Sequence, residues 1–540
     1  MSAPLPMLPS RLLSDGETSY DELPYFSQPF PQLHPNRLAV VAKLFGIETA
    51  KPNNCRLLEL GHGRGENLVA LAYCLPKSQF VGVELSRRQN EDAIKSARAL
   101  GLTNVDLRHA SIMDVDDSFG EFDFVICHGV FSWIPREVQE KIFEICNRRL
   151  RPNGVALISY NVFPGWRMTS MFRDLMRYHT GQFSDKLTRV QQARAILDFV
   201  AKQCQNDQTP YGLGLQKLVG TLSQLSDSYL YHEHLDEFNE PMYFRDFLQR
   251  VSNHNLEYLG DVEFFTMLPT AFSPEAQSTL RTIAPEQVNL EQYLDFLLNR
   301  SFRQSLVVRR GVPINRNIHL RVIEEMSVAS SIRPVEPIVS IGDPSVAQQY
   351  VGSHGASFST AEPILKAAHA LLARIFPEPL TFAQLIEQTQ KVLADSGGDV
   401  SRFEHQGSHM LRTHLMQVYC TRNDCVRFYV EPPPLVRAVS ERPQASPLAR
   451  AQAAESAHVC NQLLERVTLD DFSRTLISML DGHKTVPELV DAIVETVRSG
   501  RMNMARDGVP ITDPADVRQI IESAIGKQLE TFGQAGLLIA

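Results

Sequence analysis

"LLELGHGRGENL", residues 57 to 68, sets glycines at 61, 63 and 65, every second position, between the acidic Glu59 and an apolar run that begins at Leu68. A short apolar run that ends in glycines and then opens a helical pattern reads as a strand, a turn and a helix. Glycine lets such a turn bring its backbone close to a ligand, and the helix N-terminus behind it favours negative charge. What has to be decided is which ligand the turn holds.

The surrounding chain keeps the same rhythm. "CRLLEL" (55–60) is followed by "ENLVALAYCL" (66–75), "QFVGVEL" (79–85) and "RRQNEDAIKSARAL" (87–100), so short apolar runs alternate with helical ones. "VDLRHAS", "FDFVICHG", a helix near residues 135 to 150 and "GVALISYN" continue it. Five strands in this order predict an α/β fold with a doubly wound, Rossmann-like sheet. Residues 166 to 230 carry helical patterning without a strand candidate, and "EPMYFRDFLQRVSNHNLEYLGDVEFF" then supplies a helix and a strand. The helical stretch is therefore expected as an insertion at the ligand-binding ends of the strands, with the sheet resuming behind it.

A chain of 540 residues is too long for a single core. The expected units are an N-terminal segment (1–34) that caps the site, a sheet domain (35–270) with its insertion (166–230), a region at 271–335, and two mainly helical, winged-helix-like units at 363–432 and 453–540. "SIGDPSVAQQYVGSHGASFST" (340–360) and "EPPPLVRAVSERPQASPLAR" (431–450) read as linkers. Residues 296 to 323 hold six arginines and no acidic residue; they read as a solvated face or as a docking surface for an acidic partner. A net charge of -9 gives the winged-helix-like order little support as a nucleic-acid reader, and protein contact or homodimerisation is the expected role. No secretion signal or membrane-spanning stretch is read in the sequence, so a cytoplasmic location is expected, with no membrane partner. The eight scattered cysteines fit reduced thiols. Neither Cys420 with Cys425 nor the "HEH" of residues 232 to 234, expected where a sixth strand begins, makes a metal site, and no metal is expected.

Two nucleotide-bearing cofactors use glycine turns of this sort. In the dinucleotide fingerprint the third glycine follows the second by three positions, whereas here the spacing is even and Glu59 precedes the turn. A carboxylate there would repel a pyrophosphate, but it suits the amino group of S-adenosylmethionine. Glu84 closes "FVGVEL", where a carboxylate accepts ribose hydroxyls in either cofactor class. Asp114 in "SIMDVD" is placed to accept from the adenine amino group, and "LRPNGVALIS" (150–159) is a turn habitual in methyltransferases.

"ELGHGRGENL", "VGVEL", "SIMDVD", "FDFVICHG" and "LRPNG" together resemble class I S-adenosylmethionine-dependent methyltransferases over roughly residues 35 to 270. "SYDELPYFSQPFPQLHPNRLA", "HGVFSWIP", "SYNVFPGWR", "HEHLDEFNEPMYF" and "YLDFLLNRSFRQSLVVRR" narrow the resemblance. It is to methyltransferases with a methyltransferase regulatory domain, similar to bacterial outer-membrane-protein lysine methyltransferases. The cofactor set expected is Tyr20, Glu59, Gly61, His62, Gly63, Asn67, Glu84, Leu85, Ser111, Ile112, Asp114, His128 and Gly129. Tyr25 is expected to fold over the pocket with Tyr20. His62 departs from the small or thiol side chain usual in this turn, and is expected to point outward.

Methyl transfer is an in-line displacement, so the protein chiefly aligns the reactants and excludes water. A lysine acceptor has a reference pKa of about 10.4, and the site must lower it or take the proton. His128, Trp133, Tyr160, Asn161 and Trp166 follow the fourth and fifth strands and are expected to hold the amine, each also open to an ordinary packing role. The expected substrate is a protein. A small-molecule acceptor, or a non-enzymatic cofactor sensor working through the C-terminal units, is the alternative.

Overall fold

Strands that are buried on both faces need apolar side chains at successive positions, and "RLLEL", "QFVGVE" and "FDFVIC" supply them. The computed structural model describes residues 21, 28–352, 355–421, 425–506, 509–511 and 513–540; Tyr20 and Tyr25 lie outside the described residues. Its centre is a seven-stranded sheet of β1 (Arg56–Leu60), β2 (Gln79–Glu84), β3 (Val105–His109), β4 (Phe122–Cys127), β5 (Leu150–Asn161), β6 (Leu256–Asp261) and β7 (Phe302–Arg309). The spatial order is β3-β2-β1-β4-β5-β7-β6. β1 to β5 run parallel, and β7 runs antiparallel to both β5 and β6. The chain winds outward from β1 to β3 and returns to β4, which leaves a crevice at the carboxyl ends of β1 and β4 where a ligand can enter.

Among the helices that pack against this half of the sheet, three follow its strands. Glu66–Cys74 starts at Gly65, whose φ of 77° is a left-handed conformation. A Cβ at Gly65 would sit 2.6 Å from the Cβ of Ala93, so glycine also lets the turn close against the helix Arg87–Ala99. The latter is capped by Ser86, whose side chain accepts from the backbone N–H of Gln89. Arg136–Arg149 lies between β4 and β5 and buries Ile142, Phe143, Ile145 and Cys146.

The insertion has a core of its own. Trp166–Thr180, Lys186–Gln203 and Pro210–Leu222 join Phe172, Met176, Val190, Leu197 and Leu215. "HEH" does not begin a strand: Tyr231–Leu235 is a single π-helical turn, and the sixth strand starts only at Leu256. The sheet extends past residue 270, because β7, beginning at Phe302, is inserted between β5 and β6. The arginine-rich run is not simply a solvated face either. Arg303 is fully buried and is held by Glu291 at 2.8 Å and Asp295 at 2.8 Å. Arg316 donates to the carbonyls of Tyr258 and Leu259.

The stretch 340–360 is no free linker. β9 (Arg333–Pro334), β10 (Gln348–Val351) and β11 (Ser357–Thr360), which follow β8 (Ser327–Ser330), form a small antiparallel sheet. Tyr350 is fully buried and stacks on Phe358. Lys366, itself buried, donates to the carbonyls of Ser340, Asp343 and Val346 at 2.6 to 2.9 Å and fastens the segment. The helices Pro363–Ile375, Phe382–Asp395 and Val400–Thr421 follow, and β12 (Leu380–Thr381) and β13 (Val426–Tyr429) pair with β8. One hydrophobic cluster runs through Leu57, Phe124 and Leu306 of the central sheet into Val328, Leu371, Leu411 and Phe428. This first winged-helix-like unit therefore shares its core with the sheet domain. The second, with helices Pro447–Glu455, Asp471–Met479, Val486–Arg498 and Pro514–Gln534, is built mainly around another cluster, while its Leu448, Cys460 and Leu464 pack into the first. Among the described residues no helix is long and apolar enough to cross a membrane.

Candidate active site

The turn after β1 is tied to the end of β2. Gly61, Gly63 and Gly65 have φ of 75°, 58° and 77°, a left-handed run that suits glycine. The Gly63 N–H donates to Glu84 Oε2 at 2.9 Å, and the Ser86 N–H donates to Oε1 at 2.8 Å. Burial raises the pKa of Glu84, opposed by these backbone donors. Glu59 is deeply buried and receives the side-chain amide of Asn67 at 3.2 Å and 3.3 Å. Desolvation pushes its carboxyl up to about 8.

At the far side of the crevice, Gly129 has φ 70° and a Cβ there would meet nothing within 4 Å, so the space beside it is open. Its N–H donates to Ser159 Oγ at 2.8 Å. His128 lies edge-on to Phe30 and Phe302, at ring-centroid distances of 4.7 Å and 5.9 Å. Burial lowers its imidazole to about 4, so the ring is neutral at pH 7. Its Nδ1 is buried and, among the described residues, without a hydrogen-bond partner. Leu85 and Met113, by contrast, expose their apolar side chains at the ends of β2 and β3. Ser111 and Ile112 are half-buried beside them. Asp114 is exposed and its Oδ2 accepts the Ser111 N–H at 2.9 Å, which stiffens the turn. A glycine cradle, two carboxylates, an apolar lip and an orphan imidazole nitrogen fit an adenosyl group with a charged amino-acid end.

Comparison with known proteins decides between cofactor classes. Residues 57–154 match the family model described as "Methyltransferase domain", residues 226–309 "Predicted methyltransferase regulatory domain", and residues 441–537 "PKMT, C-terminal winged helix domain". An uncharacterised protein of Rickettsia prowazekii is 34% identical over 96% of this chain and 93% of its own. The solved structure of PKMT2 from Rickettsia typhi in complex with AdoHcy is similar over 96% of this chain and 100% of that one, at 30% identity and a TM-score of 0.86. The chain is a class I S-adenosylmethionine-dependent methyltransferase.

The methyltransferase brings together most, though not all, of the residues expected to face the acceptor. Trp133 and Trp166 meet edge to face at 5.9 Å. Asn161 is buried at the end of β5, its amide donating to Asn239 Oδ1 at 3.3 Å and its N–H to Ser132 Oγ at 2.8 Å. Tyr160 is a correction. Neighbouring strand residues point to opposite faces; Ser159 reaches the crevice, whereas Tyr160 stacks on Phe247 at 3.9 Å and bonds Ser305 inside the core.

His62 is a second correction. It points inward, with Nε2 3.2 Å from Asn90 Oδ1, and its Cδ2 would lie 2.5 Å from a Cβ on Gly82. Burial lowers this imidazole to about 4, which leaves it neutral at pH 7. Sequence reasoning missed Asn90, Ser132, Asn239, Phe30 and Phe302. Phe30 donates its N–H to Asn67 Oδ1 at 3.3 Å and so closes the Glu59 side of the crevice. Phe30, Ser132, Asn239 and Phe302 all fall inside motif stretches that carry the family resemblance, so those stretches held the signal.

Proposed function

We propose that this methyltransferase transfers the methyl group of S-adenosylmethionine to lysine side chains of a protein substrate. The observation that carries the reading is the whole-length likeness to PKMT2, a protein lysine methyltransferase, which extends beyond the sheet domain through both C-terminal units. When bound, the cofactor supplies an electrophilic methyl on a sulfonium. Glu84 is the acceptor for its ribose hydroxyls, and Glu59 with Asn67 takes the amino group. Leu85, Ser111, Ile112 and Asp114 flank the adenine, and the backbones of Gly61, Gly63 and Gly129 allow close approach.

The acceptor side follows from the remaining groups. The faces of Trp133 and Trp166 hold an ammonium by cation–π attraction and keep water away from the amine. The Asn161–Asn239 amide pair orients the nitrogen lone pair in line with the methyl. Neutral His128, without a proton on at least one ring nitrogen, offers an acceptor at the same end of the crevice. We propose neither nucleic acid nor membrane as a partner, and we place the reaction in the cytoplasm.

The test is transfer of labelled methyl from S-adenosylmethionine to purified bacterial outer-membrane proteins, with the modified residue located by mass spectrometry. Methyl groups on lysine side chains are the expected result. Label found only in small metabolites would overturn the reading.

A further inference from the structure

The helix Gln287–Leu298 buries Leu290, Glu291, Leu294 and Asp295 on one face. On the other it leaves Tyr293, Phe296 and Leu297 at 43%, 50% and 55% exposure, a stripe at i, i+3 and i+4. Contiguous apolar surface of this kind marks a contact site more often than chance.

The stripe is continuous with the active-site mouth. Phe296 lies 5.7 Å from Tyr243, and Tyr243 lies 5.5 Å from Phe163, two residues beyond Asn161 and three before Trp166. The Gly165 N–H donates to the carbonyl of Arg300 at 2.9 Å, so the end of the stripe's helix abuts the helix that Trp166 opens. Phe302, 39% exposed, reaches from this corner to His128. Two cations border the same ladder. The Arg167 guanidinium sits 3.8 Å from the centre of the Phe163 ring, and that of Arg245 5.8 Å from the Tyr243 ring. Both side chains belong to exposed residues, and among the described residues no carboxylate is paired with Arg167.

We propose that the Tyr293–Phe296–Leu297 stripe and the Phe163–Tyr243 ladder form the docking surface for the protein substrate, as an extended segment with apolar side chains and a carboxylate near the methylated lysine. The apolar side chains cover the stripe, and the carboxylate meets Arg167. This rests on the protein-lysine reading, which fixes what reaches the mouth.

The test compares synthetic peptides on the full-length enzyme: one whose central lysine is flanked by leucine, phenylalanine and aspartate, and one flanked by serine and glycine. For the apolar-acidic peptide the wild type should show a KM about tenfold lower, and a Tyr293→Ser/Phe296→Ser/Leu297→Ser variant should abolish that advantage. In that variant the serine-glycine peptide should keep its KM, and kcat should not change. Arg167→Gln should remove only the preference for aspartate. A wild type without the preference, or a variant that retains it, overturns the proposal. So does a dimer that the triple substitution dissociates in sedimentation, or vesicle binding that it abolishes, since either assigns the stripe to another occupant. Fluorescence anisotropy with the apolar-acidic peptide carrying glutamine for lysine separates the two readings. Binding that the triple substitution abolishes supports the docking surface even if no lysine is methylated, an outcome that would sink only the acceptor assignment.

Discussion

The carboxylate of Glu84 bridges two turns: one oxygen receives the Gly63 N–H at 2.9 Å and the other the Ser86 N–H at 2.8 Å. The group expected to hold the ribose is therefore already oriented by the backbone it serves. Glu84→Ala should weaken S-adenosylmethionine and S-adenosylhomocysteine alike, by about 1 to 3 kcal/mol, because both share the ribose. Calorimetric titration of the two ligands checks this, and unchanged affinity would remove Glu84 from the site.

Glu59 should make cofactor binding pH-dependent. Its carboxyl is pushed up to about 8 by burial, so it is largely protonated in the free protein at neutral pH. A cationic amino group demands the carboxylate, so binding releases a proton, and affinity rises with pH until the free carboxyl is itself ionised. Between roughly pH 6 and 8 the gain should approach tenfold per unit and then level off. Titrations in buffers of different ionisation enthalpy report the released proton. Glu59→Gln should flatten the profile.

Arg303 is fully buried between Glu291 and Asp295. Removing the cation takes the ion-pair partner from buried Glu291 and Asp261 and leaves Asp295 with Arg300 alone, so Arg303→Met should lower stability by about 3 to 5 kcal/mol. A shifted denaturation midpoint, or failure to accumulate folded protein, is the readout. A midpoint close to that of the wild type would show that water reaches the pair.

Gly82→Ala tests the inward fit of His62. The added Cβ would lie 2.5 Å from His62 Cδ2 and 2.6 Å from Leu68 Cδ2, both on buried side chains. Overpacking should cost about 1 to 3 kcal/mol in thermal unfolding. Because His62 sits in the glycine turn, cofactor affinity should fall with it.

The first five strands were legible because each is a local apolar run between turn signals, and the turn after β1 carries its glycines in plain view. β7 was not. The pairing of β7 with β5 joins residues that stand 141 to 151 positions apart, such as Ile158 with Ser305, and local periodicity says nothing of partners. Tyr160 could have been rejected from the sequence, since alternation along β5 cannot send both it and Asn161 to one face. The orientation of His62 needed the register: Gly82 lies opposite Glu59, and only that pairing shows where a ring finds room. The stretch at 340–360 looked like a linker because its anchor, Lys366, is a charged residue whose burial no composition rule anticipates.

The cluster that passes from Leu57 to Leu411 without a break leaves no seam along which the catalytic half and its neighbour could slide. Cutting the chain ahead of Ser327 would strip one flank of the sheet bare, and the shortened enzyme should aggregate rather than work as a minimal catalyst. For the same reason a volume change in Val400–Thr421 is felt under β1.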